Sequence, residues 1–173
     1  MTRSNSNGSG AGVLDPERDL LLERTVDVPP ELVWRAWTTP DYVRQWWAPA
    51  PFTIAECDID LRPGGIFRTV MRSPEGGETE NLGCYLDIVE GTRLVWTTVL
   101  GPGFRPNRPV MDLPFTATIT IEPATGGTQY SALAMHGTPE AQRRHADLGF
   151  HDGWGTVFDQ LVDLIRSGAV TGR

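Results

Sequence analysis

What this chain lacks narrows its identity first. It has only two cysteines, Cys57 and Cys84, far apart and in no CxxC pair, so neither a disulfide framework nor a paired-cysteine metal site is expected. In a cytosolic setting they read as two buried free thiols. There is no run of roughly 18 apolar residues, so no membrane span is expected. The first residues, MTRSNSNGSGAG, have no apolar core, so no signal peptide is expected and the compartment reads as cytoplasmic. A basic excess is missing too: Lys+Arg 15 against Asp+Glu 22 leaves a formal net charge of −7. That balance argues against a nucleic-acid partner and against an anionic membrane surface. The three histidines, His136, His145 and His151, form no HExxH pattern, and neither a metal nor a cofactor is expected. No GxSxG elbow and no GxxxxGK[ST] or GxGxxG loop exists; RPGG, EGG and TGG read as turns between strands.

What is present fits one globular domain. The chain has 173 residues, 39% hydrophobic and 21% charged, enough for one real core. Residues 1–17 are rich in Ser, Asn and Gly and are expected as a disordered tail, with the domain over 18–168 and a short second tail over 169–173. A first strand over 19–28 ends at Pro29-Pro30, and short helices follow over 31–37 and, after the Thr39-Pro40-Asp41 cap signal, over 42–47. Strands are expected over 52–61, 66–72, 78–90, 93–100, 115–121 and 128–136. The clean alternation of Phe115, Ala117, Ile119 and Ile121 with threonines predicts a half-buried antiparallel strand. The stretch GPGFRPNRPVMDLP (101–114) holds four prolines and two glycines and reads as a loop. A loop of that length in a compact domain is often functional.

The segment 138–167 reads as one long helix. Thr138 is a good N-cap before Pro139, and Gly168 follows the last turn. Asp147, His151, Trp154, Phe158, Leu161 and Ile165 recur at helical spacing. Such a helix would run on the order of 40 Å, enough to cover a sheet. Gly149, Gly153 and Gly155 in its first half each cost about 1 kcal/mol of helix propensity, which suggests that they leave room for something. The expected fold class is α+β: a curved antiparallel sheet of six to seven strands around a long C-terminal helix, with a cavity between them.

Five stretches together resemble a known family: DVPPELVWRAWTTPDYVRQWW (27–47), DLRPGGIFRTVMRSPEG (60–76), GCYLDIVEGTRLVWT (83–97), GGTQYSALAMHG (126–137) and FHDGWGTVFDQL (150–161). They are similar to the START-like, helix-grip superfamily (SRPBCC). Within it they resemble the branch named after homologues of the heat-shock-protein-90 ATPase activator, a name associated with stress response. The resemblance implies a helix-grip fold with a deep apolar cavity. It implies little about reaction, since the superfamily holds lipid and hormone carriers, aromatases, cyclases and resistance proteins. A chaperone partner is what the branch name would imply.

In that fold Trp46, Trp47, Phe67, Tyr85, Trp96, Phe115, Trp154 and Phe158 would gather around one space, together with Met71 on the face of Phe67. Each alone reads equally as ordinary core. Trp34 and Trp37 are expected at the sheet rim. His145 and His151 are six apart and share no face of a continuous helix. His151 sits beside the glycines with Asp147 four residues before it, and reads either as a cavity histidine or as a half-exposed one. His136 and Arg68 are further candidates for orienting a ligand, Arg68 by pairing with a carboxylate. The readings this leaves are a carrier of a hydrophobic or aromatic small molecule, an aromatase, cyclase or hydrolase using a cavity histidine, and a chaperone-associated interaction module. An edge strand invites a homodimer.

Overall fold

The computed structural model describes residues 13–172; residues 1–12, most of the expected N-terminal tail, and residue 173 lie outside the described residues. β1 (Asp19–Val26) leads into α1 (Pro30–Thr38) and α2 (Pro40–Trp46), each opening on a proline whose fixed φ suits a first turn. Then come β2 (Thr53–Ile59), β3 (Ile66–Arg72), β4 (Glu78–Val89) and β5 (Arg93–Thr97). The 101–114 region carries a small hairpin, β6 (Leu100–Gly101) with β7 (Arg105–Pro106), and short 3-10 turns at Pro102–Phe104 and Val110–Asp112. β8 (Thr116–Ala124) and β9 (Gly127–Met135) complete the main sheet. Its order is β1-β9-β8-β5-β4-β3-β2, every neighbouring pair antiparallel. Among the described residues, no helix is long and apolar enough to cross a membrane.

The turn at 60–66 shows why DLRPGG is a specific signature. Arg62 and Gly65 amides close two tight turns on the carbonyls of Asp60 and Arg62, and Gly64 and Gly65 pair with Tyr85 on β4. A Cβ on Gly65 would stand 2.0 Å from the Asp60 carbonyl oxygen, which only glycine avoids. The sheet's inner face alternates as its sequence demands. Leu20 and Leu22, Leu94 and Trp96, Ala117, Ile119 and Ile121, and Tyr130, Ala132 and Ala134 all point inward and are buried. Opposite them stand Val157, Phe158, Leu161, Val162 and Ile165. Burying each large apolar side chain stabilises the fold by roughly 1.5–3 kcal/mol.

The expected long helix is two helices. α3 (Pro139–Asp147) is capped by Thr138, whose hydroxyl accepts from the Ala141 amide at 3.2 Å, and α4 (Phe150–Arg166) follows after a break. The break is at Gly149, with φ 91° in the left-handed region, its amide returning to the Ala146 carbonyl. That is the glycine stop of a helix C-terminus. α4 alone spans the sheet. Trp37 is also not at the rim: it is buried in the core, edge-on to Trp46 at 4.7 Å and 5.0 Å from Trp47. After α4, Val170 is buried and Thr171 bonds with Arg35 and Tyr42, so residues 169–172 lie against α1 and α2.

Candidate functional site

β3, β4, β5, the 109–113 loop and the α3–α4 corner enclose a cavity of about 310 Å³. Its wall is an aromatic box. Trp154 of α4 faces Trp47 edge-on at 5.4 Å; Trp96 of β5 lies 5.0 Å from Phe67 and 5.4 Å from Phe115. Rings prefer such edge-to-face contacts. Met71 lines the cavity beside these rings. Gly149 and Gly153 line it too, and a Cβ on Gly153 would meet no atom within 4 Å. The missing side chain there is open space. Gly155 differs: its Cβ would stand 3.2 Å from the Arg24 guanidinium, away from the cavity.

The remaining candidates stand elsewhere. Trp46 is fully buried, its indole N–H donating to the Ala36 carbonyl at 2.9 Å. Phe158 stacks on Tyr130 at 3.9 Å in the core, and Tyr85 stacks behind Phe67 at 5.6 Å. His151 is exposed, 3.2 Å from the Leu21 carbonyl at the sheet edge, and the break at Gly149 puts Asp147 on another helix. Arg68 is turned outward and held by Glu56, Asp58 and Glu80 at 2.8–2.9 Å. It therefore offers nothing to a ligand carboxylate.

The histidine at the cavity is His145, 6% exposed, its ring against Phe115 at 4.8 Å and Phe150 at 5.1 Å. His136 stands behind it, Nε2 to His145 Nδ1 at 2.9 Å. Sequence reasoning passes over His145 because it assumes one continuous helix; the Leu148-Gly149 pair was the signal that the helix turns. Burial pushes the His145 imidazole down to about 4, with the His136 ring adding to it. Burial lowers His136 too, against the Arg18 carbonyl and Asp19, which raise it. Among the described residues, no three His, Cys, Asp or Glu side chains gather as a metal would require. Both cysteines are free, and burial pushes the Cys57 thiol up to about 12.

The mouth of the cavity is fastened on one side. The Arg144 guanidinium on α3 donates to the Met111 carbonyl at 2.6 Å, holding the 109–113 loop over the opening. Away from the cavity lining, Gln160 of α4 clasps the segment entering β2: its amide donates to the carbonyls of Trp46 at 2.9 Å and Ala48 at 2.8 Å, and its oxygen accepts from the Ala50 amide at 3.0 Å. Replacing Gln160 by Leu strands these backbone groups, and is expected to cost about 1–2 kcal/mol in a denaturant melt with the slope unchanged.

The geometry can be set beside known proteins. The family model described as Activator of Hsp90 ATPase homolog 1-like protein matches residues 27–166. The chain belongs to this family. A solved structure from Nitrosomonas europaea is 43% identical over 91% of this chain and 100% of that chain, with a TM-score of 0.86. An AHSA1-like protein from Aeromonas hydrophila is 20% identical, covers 90% of this chain and 96% of that chain, and has a TM-score of 0.66. A Rhodobacter sphaeroides protein is 21% identical over 87% and 93%, with a TM-score of 0.75. The last two show the fold alone. A comparison with curated proteins finds no match. The family is consistent with the START-like superfamily, and its fold supports a ligand-binding domain.

Proposed function

We propose that this protein binds a hydrophobic or aromatic small molecule between its sheet and α4. The observation that carries this reading is the cavity of about 310 Å³, walled by Trp47, Phe67, Trp96, Phe115 and Trp154, with no charged side chain among its lining residues. That volume is at the small end for ligand pockets and suits a molecule of one or two fused rings. Two free thiols support a reducing, cytoplasmic setting. The test is calorimetric titration with 2-methylnaphthalene, with native mass spectrometry of the protein as purified. A saturable one-to-one heat, or a copurifying apolar molecule, is expected; no heat and no adduct would sink the reading.

A chaperone-associated module is the second reading. It draws on Phe104 and Met111, 49% and 59% exposed in the 101–114 region. Met111 also borders the cavity, so an occupied cavity and a docked partner would compete for it. An enzymatic role would pass to His145, since His151 lies at the surface. Self-association would use β1 or β2, the two sheet edges.

A further inference from the structure

The two buried histidines carry information about what the cavity prefers. His136 Nδ1 lies 2.8 Å from the Arg18 backbone carbonyl, and His136 Nε2 lies 2.9 Å from His145 Nδ1. A carbonyl only accepts, so His136 Nδ1 carries a proton. A neutral imidazole holds one proton, so His136 Nε2 offers a lone pair. His145 must then donate from Nδ1, which leaves its own Nε2 bare. Burial lowers the affinity of both rings for a second proton, so this chain of tautomers holds near neutral pH. His145 lines the cavity, and its Nε2 has no hydrogen-bond partner among the described residues. An acceptor on a cavity-lining ring can take a hydrogen bond from the O–H or N–H of a bound molecule.

We propose that His145 Nε2 selects the ligand as a hydrogen-bond acceptor, favouring a neutral aromatic with an O–H or N–H donor, a phenol above all, over a carboxylate. The inference rests on the small-molecule reading above and sharpens it. No cation lines the cavity; Arg144 at its mouth is taken up by the Met111 carbonyl, and Arg68 is engaged outside with three carboxylates. An anionic oxygen would lose its hydration and meet a lone pair. A phenolic O–H meets the lone pair as a donor while its ring packs on Trp96 and Trp154.

The experiment compares 2-naphthol, 2-methoxynaphthalene, 2-methylnaphthalene and 2-naphthoate by calorimetry on the wild-type chain. These probes share a ring system and differ in the donor. 2-Naphthol is expected to bind about tenfold tighter than the methyl and methoxy compounds, and 2-naphthoate weakest. In His145→Phe the ring remains and the lone pair is gone, so the preference for 2-naphthol should shrink to about twofold or less. Imidazole ¹⁵N spectra give a second readout: the unprotonated His145 Nε2 resonance should move with 2-naphthol and stay with 2-methoxynaphthalene. Equal affinities for the naphthol and its methyl ether in the wild-type chain would overturn the proposal while leaving the cavity reading intact. So would a preference that survives in His145→Phe. If no probe binds, both fall.

Discussion

Gly153→Leu is expected to abolish binding of 2-methylnaphthalene and, in the same molecule, to raise the melting temperature. Gly153 stands inside α4, where a non-glycine residue gains about 1 kcal/mol of helix propensity. Its absent side chain faces open space among the cavity residues, where a Cβ meets no atom within 4 Å beyond its own stretch of helix. It also buries apolar surface that the empty cavity leaves unpaired. A gain of about 1–2 kcal/mol follows, which for a chain of this size is a rise of roughly 2–8 °C. The ligand loses the space that leucine takes. Forcing it into a filled core would cost roughly 3 kcal/mol, a loss of about a hundredfold in affinity. Gly155→Leu makes the contrast. That position faces Arg24 and not the cavity, so the same change should leave the affinity for the probe nearly intact in any protein that folds. If Gly153→Leu destabilised the fold, the space over that glycine would not be available to a ligand.

The difference between these two glycines marks where the sequence stops being informative. The sheet is legible because its signals are local. Threonines alternating with Ala117, Ile119 and Ile121 set a period of two, and the 60–66 turn needs a glycine that nothing can replace. The inward face of β3 follows from the same period, which puts Phe67, Thr69 and Met71 together on the cavity side. The α3–α4 corner is less legible. A glycine within a helical pattern reads first as a propensity cost, and only the backbone shows that Gly149 is a stop. That single turn reassigns the histidines: it parts Asp147 from His151 and brings His145 to the cavity, while His151, on α4 with Trp154, is turned to the surface. Trp46 stands in the solid core, and Trp37 away from the rim, for another reason. A tryptophan fits a hollow wall and a solid core equally well, and its neighbours on α1 and α4 decide which it joins.

Stability should fall as the pH drops from 6.5 towards 4, before most carboxylates have titrated. His145 has an ordinary value of 6.5 and is pushed down to about 4 by burial and by the His136 ring beside it. Around the pair stand Phe115, Phe150 and Trp154, with the Arg18 carbonyl and Asp19 on the far side of His136. Above pH 6.5 the imidazole is neutral both folded and unfolded, so its contribution is fully present. Between 6.5 and 4 the unfolded chain takes up a proton that the folded chain refuses, and unfolding is favoured. Below 4 both forms are protonated and the loss is complete. The gap corresponds to on the order of 3 kcal/mol at most from His145, and His136, lowered in the same direction, adds to the slope. Denaturant melts at closely spaced pH values measure it. In His145→Phe the drop between pH 6.5 and 4 should be clearly shallower than in the wild-type chain. A flat wild-type profile over that range would mean that the pair takes up protons freely when folded, and the fixed tautomers that leave His145 Nε2 bare would not hold.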